Sequence, residues 1–356
     1  MKKDKLKIIL FNIGVSGGAG KAMINLAKAF KEQGDIVYII SFNKSQYPIP
    51  KNINFILINS SLKPHLRLKK SLEDIGRFDA IFSNSTPSNK ILSKLKIKNS
   101  FHIIHSAEIK FYQGVFAPIR SWLRKKKYQK LYSNKNLITV SKDLEKLILE
   151  EFKARPKTIK TIYNIVDFDE IKKMSQIIDK NIPKDPFLVH VARYDIASKR
   201  QDILLKAYKK ANLPYKLFLI GEGKDRERIV RIIKELKLEE KVILTGFISN
   251  PYSWIKRAKL LILSSDFEGF GLVLIEALFL NTPVVSTNCK VGPKEILKGN
   301  LSDFLVPIRD IEALSNKIKY ALNNYPDISK INFDYLDKKV ILQEFRKIIE
   351  GKKNGI

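Results

Sequence analysis

LLILSSDFEGFGLVLIEAL, residues 260–278, is the stretch whose reading decides the fold. The unbroken apolar run Leu260–Leu263 suits a strand buried on both faces, as the strands of parallel sheets are. A polar loop follows, in which Gly269 and Gly271 free the backbone. A helix then opens near Gly271 and carries Glu276 on its second turn, eight positions after Glu268. Strand, glycine loop and helix in that order make half of a βαβ unit.

Working outward, the same alternation repeats almost from end to end, the pattern of a parallel α/β fold. One series has strands near 6–11, 36–41, 54–58, 80–83, 101–104, 137–140 and 160–163, with a glycine-rich turn after the first strand and a helix over 21–32. A polar stretch over 164–185, ending in Asn181, Pro183, Lys184 and Pro186, reads as a linker. A second series places strands near 187–191, 216–220, 242–245, 260–263 and 283–286. At 356 residues the chain exceeds one ordinary core, and two domains are expected, 1–165 and 166–334, with a C-terminal helix over 335–356 packing back on the first. The sequence shows no short internal repeat and no low-complexity tract.

With 44% apolar residues the composition supports real cores and excludes a disordered chain. The single cysteine, Cys289, cannot form an internal disulfide, and no Cys/His cluster suggests a metal site, so a reducing, cytoplasmic compartment is expected. The basic, apolar N-terminus reads as a first strand rather than a leader, and no apolar run of about 18 residues proposes a membrane span. Net charge is +30. Such a surplus suits phosphate, in nucleic acid or lipid headgroups, or is simply solvated lysine. Neither stacking aromatics interleaved with basic residues nor a reading helix is present, so no nucleic-acid partner is expected.

Residues carrying chemistry should lie in loops just after strands, where helix N-termini gather. After the first strand, Gly17, Gly18 and Gly20 permit close approach of a ligand, or make only a tight turn. Val15 and Ala22 exclude a P-loop there, and Met23 excludes the dinucleotide fingerprint. Arg193 and Lys199 follow the strand at 187–191 and suit a diphosphate that must be neutralised as it leaves, unless they are surface cations. Gly221 and Gly223 make a close turn after the next strand. In the opening stretch, amides of Phe270, Gly271 and Leu272 suit phosphate oxygens, Glu268 suits sugar hydroxyls and Glu276 a ribose. The bland alternative makes Glu268 a helix-start carboxylate and Glu276 an isolated acid.

Taken together these motifs resemble the retaining glycosyltransferases of family 4, over nearly the whole chain. The family's paired-glutamate motif matches Glu268 and Glu276, its Arg/Lys pair Arg193 and Lys199, and its N-terminal glycine loop Gly17, Gly18 and Gly20. His105 and Ser141 match a histidine and a serine at strand ends, while 162–167, 283–287 and 292–296 resemble further family segments. Two places depart from the pattern: Ile165 stands where a glycine is common, and the run through His190 to Ala192 lacks the glycine frequent before the arginine.

The resemblance implies a GT-B architecture of two facing Rossmann-like doubly wound domains with a cleft between them. It implies transfer with retention, without metal or other cofactor, in which His105 orients the donor sugar. The donor is expected to be a nucleotide sugar carrying a hexose or N-acetylhexosamine, UDP-linked ahead of GDP-mannose. The acceptor is expected to be a glycan or lipid-linked intermediate of surface polysaccharide or glycolipid synthesis. Competing chemistries on this architecture are nucleotide-sugar epimerisation and phosphorolysis.

One segment addresses the acceptor. FYQGVFAPIRSWLRKKKYQKLY, residues 111–132, sets Phe116, Ile119 and Leu123 on one helical face beside Trp122, flanked by Arg120, Arg124, Lys125, Lys126, Lys127 and Lys130. That composition suits peripheral docking on an anionic membrane face, or an ordinary helix packed on the first sheet.

Overall fold

The computed structural model describes residues 5–59, 61–106 and 116–353. The chain divides into two compact units, Met1–Val166 with Asp334–Ile356, and Asp167–Phe333.

The first unit is built on a seven-stranded parallel sheet ordered β3-β2-β1-β4-β5-β6-β7. Its strands are β1 Lys7–Asn12, β2 Ile36–Ser41, β3 Asn54–Leu57, β4 Ala80–Ser83, β5 Ser100–Ile104, β6 Asn136–Thr139 and β7 Thr158–Thr161. β1 lies at the centre, with Ile9 beside Tyr38 on one side and Ile81 on the other. Strands leave β1 in one direction and resume with β4 in the other, so the carboxyl ends of β1 and β4 flank the switch point where such sheets bind ligands.

Helix Gly17–Glu32 covers β1 and buries Met23, Leu26 and Phe30. It begins four residues earlier than the sequence suggests, because Gly17 adopts φ +59° behind an extended Ser16 and lets the glycines enter the first turn. Helix Lys338–Lys353 packs in this same unit: Phe345 meets Phe30 at 6.2 Å and Phe82 at 5.4 Å, edge to face. Beside them Arg346 donates to the Asp35 carboxylate, both side chains out of water, and the other Asp35 oxygen accepts the Leu6 amide at 2.9 Å.

The second unit has a six-stranded parallel sheet ordered β10-β9-β8-β11-β12-β13. Its strands are β8 Phe187–Val191, β9 Lys216–Ile220, β10 Val242–Gly246, β11 Leu260–Leu263, β12 Val284–Thr287 and β13 Leu305–Val306. Here the switch point falls between β8 and β11. The stretch read as a linker contains a helix, Phe168–Ser175, capped by Asp167 accepting the Glu170 amide at 2.9 Å and holding Ile171 in the core.

Helix Ala117–Tyr132 corrects one alternative. Its C-terminal end is packed, with Tyr128 stacked on Phe152 at 4.7 Å and Tyr132 buried. Its N-terminal half is not, since Phe116, Ile119, Trp122 and Leu123 are 65, 56, 57 and 55% exposed, so that face does not pack on the sheet. Residues 111–115 of the segment lie outside the described residues.

Two predictions follow from burial. Arg346→Ala strands the Asp35 carboxylate in the interior, and about 3–5 kcal/mol of unfolding free energy is expected to be lost in urea titration. The second concerns His102 of β5 and His190 of β8, both inside their sheets. Burial, with Lys135 as a smaller cause, pushes His102 down to about 3, and burial pushes His190 down to about 4. An unfolded histidine takes up its proton near pH 6.5 and these native ones do not, so their contribution is complete above that pH and lost as pH falls towards 4. Each should add about 1.4 kcal/mol per pH unit to the slope of stability between pH 6.5 and 4. Urea unfolding of the His102→Asn/His190→Asn variant is expected to show a flatter slope across that window.

Candidate functional site

Every residue of the second unit singled out from sequence lies at or just beyond the carboxyl end of its sheet. β8 leaves at Val191, and the loops after β8 and β9 are zipped together: the Ala192 amide donates to Ile220 at 3.0 Å and the Tyr194 amide to Glu222 at 3.1 Å. That contact explains two glycines. A Cβ on Gly221 would lie 2.0 Å from the Ala192 carbonyl oxygen, and one on Gly223 2.4 Å from that of Tyr194. Packing by itself therefore demands glycine at both.

Arg193 stands on this loop with its side chain 67% exposed and donates to Asp195 at 2.9 Å. Lys199 is not on an open loop but ends a one-turn helix, Ile196–Lys199. Its Nζ donates to Glu268 Oε1 at 2.6 Å, with both side chains largely out of water. Ser265 donates to the same oxygen at 2.6 Å. Two further bonds sew the loop after β11 to that short helix: Ser264 to the Lys199 carbonyl at 2.8 Å, and the Asp266 amide to Ser198 at 2.9 Å. Asp266, buried, is gripped by Arg309 through Nε and Nη2 at 2.9 and 2.6 Å and approached by Arg200 at 3.5 Å. The two cations expected to act together thus have separate partners, Asp195 for Arg193 and Glu268 for Lys199.

Gly271 sits at φ +94° and starts helix Leu272–Phe279, whose N-terminus no side chain caps. Leu274 donates to the Gly271 carbonyl at 2.9 Å, the amides before it have no partner within the helix, and the dipole adds positive potential. Phe270 buries its ring, and a Cβ on Gly292 would fall 2.5 Å from its carbonyl oxygen, so the segment around Gly292 braces the helix start. Glu276 is half-buried on the second turn. His190 is buried and neutral, with Nδ1 at 2.8 Å from the Ile262 carbonyl, while Gln201 donates to the Arg193 carbonyl at 2.9 Å and lies 3.4 Å from His190 Nε2. The buried Cys289 thiol is pushed up by burial and by the Glu268 carboxylate, and stays protonated.

In the first unit, His105 follows β5, Asn84 follows β4 and Ala19 lies in the first helix. His105 Nε2 is 2.6 Å from Asn84 Oδ1, and Asn84 Nδ2 donates to the Ala19 carbonyl at 2.7 Å. Burial pushes His105 down to about 4. A cavity beside it is lined by Ala22, Leu26, Asn84, Val140 and Tyr163. A Cβ on Gly17 or Gly18 would meet nothing within 4 Å, whereas one on Gly20 would come within 2.8 Å of Val15, so Gly20 is fixed by packing. Ser141 caps helix Lys142–Lys146 by accepting the Leu144 amide at 3.3 Å.

Sequence reasoning missed Asn84, Asp195, Ser265, Asp266 and Arg309. Ser265 and Asp266 stand inside the quoted stretch, where their adjacency to Glu268 was the available signal. Arg309 gave none, being 43 residues from the carboxylate it holds. Among the described residues no helix is long and apolar enough to cross a membrane.

Comparison with known proteins agrees with this layout. Residues 16–170 match the family described as Glycosyltransferase Family 4, and residues 172–332 match Glycosyl transferases group 1. A Campylobacter jejuni protein named N-acetylgalactosamine-N,N'-diacetylbacillosaminyl-diphospho-undecaprenol 4-alpha-N-acetylgalactosaminyltransferase is 27% identical over 98% of this chain and 100% of its own. A second C. jejuni protein, an alpha-1,4-N-acetyl-D-galactosaminyltransferase acting on a GalNAc-GalNAc-diNAcBac-PP-undecaprenol, is 27% identical over 90% of this chain and 89% of its own. Among solved structures, Anabaena HepE in complex with UDP and glucose superposes with a TM-score of 0.76 at 18% identity, covering 97% of this chain and 100% of that one. Two doubly wound parallel units, a Lys–Glu pair beside an uncapped helix start, and family matches over both halves lead to one conclusion: the chain is a glycosyltransferase of family 4 with the GT-B fold.

Proposed function

We propose that this enzyme transfers a hexose or N-acetylhexosamine, with retention and without a metal, from a UDP-sugar to a lipid-linked glycan acceptor. GDP-mannose is the second choice of donor. The observation that carries the reading is the Lys199–Glu268 pair set beside the helix start at Gly271. A departing nucleoside diphosphate gains negative charge, and the groups that stabilise it must be in place beforehand. The Leu272 and Val273 amides and the Lys199 ammonium supply that potential in a partly dry setting, and the exposed Arg193 guanidinium is free to swing onto the phosphates from Asp195. Glu268 holds Lys199 in position and offers carboxylate oxygen to a sugar hydroxyl. Glu276 suits the ribose. Protein cations then do the work a divalent ion performs elsewhere, which is why no metal enters the scheme. The UDP bound by HepE and the undecaprenol-diphosphate acceptors named for the Campylobacter relatives support the choice of donor and acceptor classes.

A lipid-linked acceptor must be met at a membrane, and helix Ala117–Tyr132 has the surface for it. Its exposed Phe116, Ile119, Trp122 and Leu123 are followed at once by Lys125, Lys126 and Lys127, with Lys126 Nζ 5.8 Å from the Trp122 ring centroid. Arg124 turns instead towards Tyr128, at 5.3 Å from its ring centroid. Apolar side chains entering the headgroup boundary with lysines on anionic lipid is a familiar arrangement, each surface cation adding about 1 kcal/mol.

Three measurements check the proposal. Glu268→Gln and Arg193→Ala are each expected to lower turnover about 100-fold or more with the fold intact, and near-native transfer in either variant removes that residue from the mechanism. Activity should survive EDTA, whereas a strict divalent-ion requirement overturns the metal-free scheme. In liposome flotation the protein should rise with anionic vesicles, and changing Arg124, Lys125, Lys126 and Lys127 to Glu should abolish this. A wild type that never floats makes the acceptor a soluble glycan.

A further inference from the structure

The hydrogen bonds around His105 are directional, and they run one way only. The Ala19 main-chain oxygen can only accept, so Asn84 must turn its NH2 group to it, at 2.7 Å. That leaves Asn84 Oδ1 facing His105 Nε2 at 2.6 Å, and an amide oxygen can only accept. Nε2 must therefore carry the proton. Burial keeps the ring from taking up a second one, the ordinary value falling to about 4. A neutral imidazole protonated on Nε2 has a bare lone pair on Nδ1.

From this chain of bonds the geometry points to Asn84 as a positioning residue that locks His105 in the Nε2–H form, so that His105 Nδ1 accepts a hydrogen bond from a substrate hydroxyl. His105 then acts as neither a cation for phosphate nor a general acid. The inference rests on the glycosyl-transfer reading for its substrate, a sugar hydroxyl, and on the geometry alone for its tautomer. It assigns recognition by opposite polarity at the two sets of loops: donors and cations in the second unit, where the diphosphate is expected, and an acceptor atom at His105, where a hydroxyl is.

Asn84 suits the task because it is nearly enclosed. It follows β4 at the switch point of its sheet, and its amide bridges the strand end to the first turn of helix Gly17–Glu32. An aspartate could receive the histidine proton but would set a carboxylate oxygen against the Ala19 carbonyl. A leucine would leave both ring nitrogens free to exchange the proton.

The test combines a spectrum with kinetics on the full-length protein. Ring 15N shifts of histidine-labelled protein at pH 7, with the His105 signals identified by their loss in His105→Gln, should show Nε2 protonated and Nδ1 bare. In Asn84→Ala the two forms should interconvert, and kcat/KM should fall about tenfold, the scale of one hydrogen bond in a partly buried site. His105→Ala should cost about as much, and the double variant no more than the larger single loss, since both changes remove one interaction. A wild-type His105 that is protonated on Nδ1, or on both nitrogens, overturns the assignment, as does a double variant whose loss is the product of the two single losses. The wild-type spectrum does not depend on Asn84→Ala folding. Because it is recorded without any sugar, its failure is separable from failure of the glycosyl-transfer reading, which only the kinetic arm addresses.

Discussion

An ammonium and a carboxylate that leave water together are held to one geometry, because each is costly without the other. Lys199 and Glu268 are such a pair, and much of the second unit is arranged to bring them within 2.6 Å. Lys199 arrives on a single helical turn after β8, Glu268 on the loop after β11, and these two strands are neighbours at the switch point of the sheet. Ser264 and the Asp266 amide bond the two segments to each other, Ser265 steadies the Glu268 carboxylate within its own loop, and Arg309 clamps Asp266 from a third. The uncapped helix start at Gly271 follows three residues after Glu268, so the same loop that fixes the ion pair also aims the helix dipole.

The titratable groups divide by type. Arginine and lysine hold the charge near the second unit's loops, while His102, His105 and His190 are all driven neutral by burial. In a chain with a surplus of thirty positive charges this separation matters, since a protonated histidine inside either sheet would face both desolvation and the repulsion of its neighbours. Neutral imidazoles act as hydrogen-bonding struts, as His190 does to the Ile262 carbonyl.

Legibility in the sequence followed burial. β2, β4, β8, β9 and β11 have the bounds read from sequence because strands covered on both faces leave unbroken apolar runs. β7, with the polar sequence TIKT at the sheet edge, was read two residues late, and the two-residue β13 was too short to leave a pattern. Helix Phe168–Ser175 resembled a linker because half its residues are charged and few are buried. Within the site, Glu268, Gly271 and Lys199 announced themselves through their place after strands. The grip of Arg309 on Asp266 and of Asn84 on His105 joins elements distant in sequence, and no local spacing records such contacts.

The return of residues 334–353 to the first unit makes the second unit an insertion within it. Ribosomal synthesis proceeds from one end, so Asp35, Phe30 and Phe82 emerge long before Arg346 and Phe345 exist to cover them. The seven strands exist once Thr161 is made, yet until the last helix follows, the Asp35 carboxylate has no guanidinium and Phe30 and Phe82 lack Phe345. The second unit has all its own residues in hand by Phe333 and is complete first. The order of birth along the chain is therefore the reverse of the order of completion.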